Sequence, residues 1–428
     1  MPATSQSGAA NVHIETKLPY EKAAGVSPFT LNEMRSHIAR ELPSLTSLRH
    51  DLHAHPELAF QESRTSQIVQ RELASLGIAF KAGLGKGTGV VAHLASTTGN
   101  DAAAVGLRAD MDALPIEEST GKPYSSTCPG VMHACGHDGH TTMLIGAARV
   151  LKALSHRPNA VSFIFQPAEE NGGGGHVMCE EGVLDGGAGG GIGPRIRCIF
   201  GQHGWPSLDL GTVWTKPGPV LANTDDFYIT LHGTQAHGAY PHQGRDPIVA
   251  GAAIVTALQT IASRNIGPLD SVVVTVGEFH AGTATNIIPQ TANLVGTVRT
   301  LSAETKAVAK ERLFSLVEHT AKAHGCEAEI KWVDGYPATI NDAALTERFM
   351  SLAKAAVGND RVGLLPEPSM GGEDFAFYGQ RIPGCFFMLG LKPAALDRYP
   401  SLHQPDFDFN DHALALGIEM LVLAAVGA

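Results

Sequence analysis

The stretch MHACGHDGHTTML, residues 132–144, crowds one cysteine, three histidines and an aspartate into the eight positions from His133 to His140. Cys135 and His137 stand two apart. At that spacing a thiolate and an imidazole lie on one side of an extended segment, which suits a soft-to-borderline divalent metal. The plainer alternative is a buried thiol beside surface histidines. A thiol nucleophile fits less well, because such enzymes usually bring their histidine from a distant part of the chain.

Two adjacent carboxylates, Glu169 and Glu170, precede four glycines. They are either solvated loop charges or a pair with divided labour. In the second case one binds metal and its neighbour takes a proton from a water whose pKa the metal lowers to roughly 7. His203 in GQHGWP and His403 in SLHQPDFDFND can complete such a shell, although each alone is more often structural. Asp112 can orient a ligand or simply cap a turn.

The elements that must position these groups follow from hydrophobic patterning. An amphipathic stretch from Leu31 opens the folded part as helix, and short apolar runs then alternate with helical patterns. VGLR (105–108), VSFIF (161–165) and RCIF (197–200) read as strands, and TTMLIGAARVLKAL (141–154) as a helix between them. That alternation predicts an α/β layer with a largely parallel sheet. Sites in open α/β sheets form beyond the carboxyl ends of strands, where Asp110 to Asp112, Gln166 to Glu170 and Gly201 to His203 fall.

From about residue 220 the order changes to βαββαβ, the split motif of a ferredoxin-like domain. The expected organisation is an arm over 1–30, a catalytic domain over 31–219 and 335–428, and an inserted domain over 220–334. The insertion would be a compact unit of about 115 residues. Glycine clusters at 172–175 and 186–193 read as loops.

Forty-two acidic residues against 31 Lys plus Arg leave a net charge of -11, which repels nucleic-acid backbones. Six cysteines without a paired framework point to a reducing compartment, and Cys135 is then a poor candidate for a disulfide. The polar first 27 residues and the lack of any run of 18 apolar residues predict a cytoplasmic protein with no membrane partner.

The runs RHDLHAHPELAFQE, GLRADMDALPIEE, MHACGHDGH, FQPAEENGGGG, GTQAHGAYPHQGRDP, TNIIPQTANLVGTVRT and SMGGEDFAFY, in this order, carry a further inference. From about Leu31 to the C-terminus the chain resembles the amidohydrolase branch of the aminoacylase and carboxypeptidase metallopeptidases, to which hippurate hydrolase and indole-acetyl amino acid hydrolase belong. The resemblance implies that Cys135, His137, Glu170, His203 and His403 hold two divalent metal ions, with Cys135 bridging. Zinc or manganese would be expected, with cobalt or nickel compatible. It implies Glu169 as general base and Asp112 as the residue orienting a ligand.

The inserted domain resembles the family's dimerisation domain, so a homodimer or higher homo-oligomer is expected. His237 would then reach the partner's active site and steady an oxyanion. Asn286, Arg299, Gly371 and Gly372 match substrate-binding positions, and a guanidinium fork at Arg299 suits a carboxylate. Two features depart from the family: the glycine-rich loop 186–197 is long, and the first 30 residues have no counterpart. The expected activity is hydrolysis of N-acyl amino acids, hippurate-like or with another aromatic or aliphatic acyl group. The alternatives are a dipeptidase or carboxypeptidase with the same site, or a homologue that binds metal without catalysis.

Overall fold

A computed structural model describes residues 28–428, with side chains from Leu31 onward. The expected arm therefore lies outside the described residues, except that Pro28 to Thr30 already belong to the first helix. Helix α1 (Pro28–Ala54) is followed by α2 (Ser63–Ser75), the hairpin β1 (Ala79–Leu84) and β2 (Gly89–Leu94), and strand β3 (Ala104–Asp110). Helix α3 (His137–Ala153), strand β4 (Ala160–Gln166), helix α4 (Gly174–Glu180) and strands β5 (Ile196–Asp209), β6 (Val213–Thr215) and β7 (Gly218–Leu221) complete the first pass. Every residue of β3 and β4 is buried, as expected of strands covered on both faces.

The chain then leaves this layer. Strand β8 (Asp225–His232), the short β9 (Ala236–His237), helix α5 (Pro247–Thr260), strands β10 (Val272–Ala281), β11 (Ile287–Ile288) and β12 (Thr291–Thr300), helix α6 (Ala303–Ala323) and strand β13 (Glu327–Asp334) form the insertion. Its antiparallel sheet has the order β10-β12-β8-β13, and β8 alternates inward and outward residues as a half-exposed strand should. Phe227, Ile229, Leu231, Ile254, Leu294, Leu313 and Val317 form a core of its own. The short β9–β11 pair lies outside this sheet and was not expected from the sequence.

The return leg comprises β14 (Thr339–Asn341), which pairs with β7, then α7 (Ala343–Val357), β15 (Val362–Leu364), α8 (Ala376–Gly379), β16 (Gly384–Lys392) and α9 (Leu414–Gly427). The large sheet runs β1-β2-β4-β3-β5-β16-β6-β15, and its centre, β4-β3-β5-β16, is parallel. Leu45, Leu144, Ile145, Ile418 and Leu421 pack α1, α3 and α9 against one face. Met178, Val183, Phe375 and Tyr378 cover the other.

Three expectations need correction. Cys135 and His137 do not share an extended segment: Gly136 between them has φ +86°, and His137 is the first residue of α3. A side chain at that φ would be strained, and the turn aims the imidazole inward from a helix start. His203 lies inside β5, which runs on to Asp209, and not beyond a strand end. The glycine clusters are only partly loop: Gly174 and Gly175 open α4, and Gly186 and Gly187 lie in a short 3-10 turn. A Cβ at Gly174 would overlap the Pro167 carbonyl, one at Gly190 would overlap that of Glu181, and Gly187, Gly190 and Gly191 donate backbone hydrogen bonds.

Candidate metal centre

Parallel strands end side by side, and the polar residues just past β3 and β4 meet the start of α3 and His203 of β5. Three sets of donor atoms, Cys135–His137–His203, Cys135–Glu170–His403 and His137–Glu169–Glu170, each lie within 4.8 Å of one another. Cys135, His137 and Glu170 each belong to two of them, so the three sets form one continuous cluster. Its Sγ stands 3.3 Å from His203 Nε2. His403 comes from the segment before α9 and lies 3.3 Å from Glu170 Oε1, with its side chain half exposed at the rim. It adopts φ +63°, a left-handed backbone uncommon for residues other than glycine, and its N–H donates to Ala134 O at 2.8 Å.

Hydrogen bonds set the ring orientations. His203 Nδ1 donates to Gly204 O at 2.8 Å, leaving Nε2 as the free acceptor. His137 Nδ1 donates to Asp112 Oδ1 at 3.2 Å, and its Nε2 is buried without a hydrogen-bond partner, as is Glu170 Oε1. Buried polar atoms are seldom left unpaired, so two such atoms facing one another among further donors fit metal ions.

The charge balance agrees. Burial pushes the Cys135 thiol well above its ordinary value, and the charges of Glu170, Glu169 and Asp110 push it further. Burial lowers the pKa of His137, but Asp110, Asp112 and Glu170 outweigh that and hold it at about 10. A pocket with this surplus of negative charge favours a cation. For Glu170, burial is outweighed by His403 and His137, which hold it below the usual range.

Glu169 is raised well above that range by burial and by the charges of Glu373, Glu170, Asp374 and Asp112. Its backbone is clamped. The N–H groups of Glu169 and Glu170 donate to Asp112 Oδ1 and Oδ2, each at 3.0 Å, and Tyr336 Oη donates to Glu169 O at 2.5 Å. Tyr336 sits two residues after β13, so Glu169 is tied to the connection returning from the insertion.

The remaining candidates stand apart. His237 is exposed on β9, where its Nδ1 accepts from Ala239 N, and Gly238 N donates to Asn286 O at 2.7 Å. Arg299 is half-buried on β12 and donates to Thr297 Oγ1. Among the described residues none of the three bonds to the cluster around Cys135. Gly371 and Gly372 lie against the link between β7 and β8 that crosses into the insertion: Gly371 O accepts from Ala222 N, and a Cβ on Gly372 would collide with Thr224.

Several residues of the site were not singled out from sequence. Arg108 is fully buried and donates to Asp110, Gln166 and Asp374. His140 bonds Asp110 through Nδ1 at 2.7 Å and accepts from Gly204 N through Nε2 at 2.9 Å, bracing the residue whose carbonyl orients His203. Glu373 and Asp374 bring two further carboxylates against Glu169. The sequence signal is the alternation Arg108, Asp110, Asp112, polar residues two apart in and just past a buried strand.

Comparison with known proteins accords with this geometry. Residues 106–426 match the model of peptidase family M20/M25/M40. The chain is 38% identical over 406 residues to an N-acetyl-L-cysteine deacetylase of Bacillus subtilis, covering 94% of this chain and 92% of that one. It is 37% identical over 381 residues to IAA-amino acid hydrolase ILR1-like 4 of Arabidopsis thaliana, covering 88% and 83%. The crystal structure of the Bacillus subtilis YXEP protein, described as a dinuclear metal binding peptidase, superposes with a TM-score of 0.77 at 35% identity, covering 91% of this chain and 98% of that one. The chain belongs to peptidase family M20/M25/M40.

Proposed function

We propose that this family member, a hydrolase acting on amide bonds, cleaves N-acyl amino acids into a carboxylic acid and a free amino acid, using two divalent metal ions. The observation that carries the reading is Glu169, a buried carboxylate of raised basicity beside five converging donors, two of which keep unpartnered buried atoms. Cys135, His137, Glu170, His203 and His403 would hold the ions, and a thiolate with imidazoles favours zinc, with manganese the next choice. The ions would supply Lewis acidity at the acyl carbonyl and lower the pKa of the attacking water to roughly 7. Glu169 takes the proton from that water and delivers it to the leaving nitrogen, so one carboxylate serves both steps. Asp112 holds Glu169, Glu170 and His137 in register through three hydrogen bonds.

Relatives named for N-acetyl-L-cysteine and for an indole-acetyl amino acid support an N-acylated substrate. Arg299 and Asn286 are assigned to its carboxylate, and Gly371 and Gly372 to the wall beside it. His237 would act on a partner's site. A homodimer is supported by apolar side chains left exposed on the insertion: Ile248 and Val249 on α5, and Val273 and Phe279 on the edge strand β10. By length and composition the helical run Pro247–Asn265 could cross a membrane, but Ile254, Leu258 and Ile261 pack it onto the sheet. Six free cysteines support a reducing compartment such as the cytoplasm.

The test is a substrate panel in which N-acetyl, benzoyl and indole-acetyl amino acids compete with unblocked dipeptides. Preference for the blocked substrates is expected. Faster cleavage of dipeptides would replace this reading with a dipeptidase.

A further inference from the structure

Four non-glycine residues among those described adopt left-handed backbone: Phe60, Lys86, Ala168 and His403. Two of them, Phe60 and Ala168, donate their backbone N–H to one buried side chain, Glu62. Its Oε1 accepts from Phe60 N at 3.0 Å and from Ala168 N at 2.8 Å, while Oε2 accepts from Thr88 Oγ1 at 2.8 Å. The Lys86 ammonium lies 4.1 Å from the centre of the Phe60 ring, and Thr88 follows two residues after Lys86. Side chains seldom adopt such backbone unless the surroundings hold them there, and strain of this kind collects at functional sites.

Glu62 has no task in its own helix. It occupies the N-cap position of α2 but makes no cap bond, and the helix start is capped instead by Glu57, whose two oxygens accept from Arg64 N at 2.9 Å and Thr65 N at 2.8 Å. Glu62 is fully buried and is committed to a turn 106 residues away. That turn carries Ala168, immediately before Glu169 and Glu170. Asp112 holds the next two N–H groups, so every backbone N–H from 168 to 170 is fixed by a carboxylate from elsewhere in the chain.

We propose that Glu62 is a positioning residue that holds Ala168 left-handed and thereby aims the Glu169 carboxylate at the attacking water. This rests on the assignment of Glu169 as the base. The role needs an acceptor of the right length, and it does not need a charge. A glutamine retains one oxygen for the two N–H groups and can donate to Thr88, whose hydroxyl then accepts. An aspartate is one methylene too short, and an alanine leaves two N–H groups unpaired.

The test compares Glu62→Gln, Glu62→Asp and Glu62→Ala in the metal-loaded full-length enzyme, reading kcat and KM for an N-acyl amino acid. Zinc affinity is measured in parallel by chelator competition. Glu62→Gln should keep kcat within about threefold, whereas the folded Asp and Ala variants should lose about 10- to 100-fold in kcat at nearly unchanged KM. Zinc affinity should fall about tenfold in those two and hold in Glu62→Gln. If alanine does not fold, aspartate decides. Wild-type kcat and zinc affinity in a folded Asp or Ala variant would overturn the proposal, as would a Gln variant as impaired as Ala. A wild-type enzyme that releases no amino acid would refute the base assignment instead, and the zinc affinities would still report on Glu62.

Discussion

Asp112 Oδ1 lies 3.2 Å from His137 Nδ1, and the same carboxylate holds the backbone of Glu169 and Glu170. One side chain thus fixes the orientation of the His137 ring and the backbone of both Glu169 and Glu170. Asp112→Asn preserves shape but places an amide NH2 against a donor, so at least one of the three bonds is lost. Metal affinity should fall about 10- to 100-fold, as for other residues that orient ligands. Chelator competition measures it, and an unchanged affinity would leave Asp112 a turn residue only.

Glu169→Gln removes the proton acceptor and leaves Cys135, His137, Glu170, His203 and His403 untouched. Metal content should stay at the wild-type level while kcat falls by roughly two or more orders of magnitude. Near-normal turnover would remove Glu169 from the chemistry.

His237 is exposed and does not bond to its own subunit's cluster. If it serves the partner's site, Glu169→Gln and His237→Ala are each inactive alone, yet a mixed dimer holds one complete site. Co-refolding the two in equal amounts should restore about a quarter of the wild-type rate, the statistical share of complete sites in a two-fold dimer. No recovery, with hybrid dimers verified, would confine His237 to another role.

His53 gives a pH signature. It is buried between Asp138 (2.9 Å) and Glu118 (3.4 Å). Burial alone would lower its pKa, but the two carboxylates outweigh it and hold it at about 9 against an ordinary 6.5. A raised folded-state pKa stabilises the fold fully below pH 6.5, and this contribution is lost as pH rises through 9. Wild type should lose on the order of 3 kcal/mol over that range relative to His53→Gln at equal metal loading. Denaturant titrations at both ends of the range measure the difference, and parallel slopes for the two proteins would refute the assignment.

The sequence and the structure part company where partners are far apart. Strands β3, β4 and β5 were legible because fully buried strands are continuous apolar runs, and the insertion because its strands alternate. The donors Cys135, His137, Glu170, His203 and His403 were legible as unusual polar residues near those elements and through family resemblance. The Arg108–Asp374 pair was not, since its members stand 266 positions apart and no periodicity links them. Glu62 was hidden for a similar reason: a glutamate at a helix start reads as a cap, and only the fold reveals that Glu57 has taken that task. The left-handed turn at Gly136 is not encoded in the Cys-x-His spacing, which fits an extended segment equally well.

The most direct measurement is amino-acid release from N-acyl amino acids by protein stripped with a chelator and then refilled separately with zinc, manganese and cobalt. We expect release to vanish on stripping and to return with at least one metal, at two ions per subunit, on a blocked substrate. Correctly folded protein that binds two ions and releases no amino acid with any of the three metals would contradict the assignment.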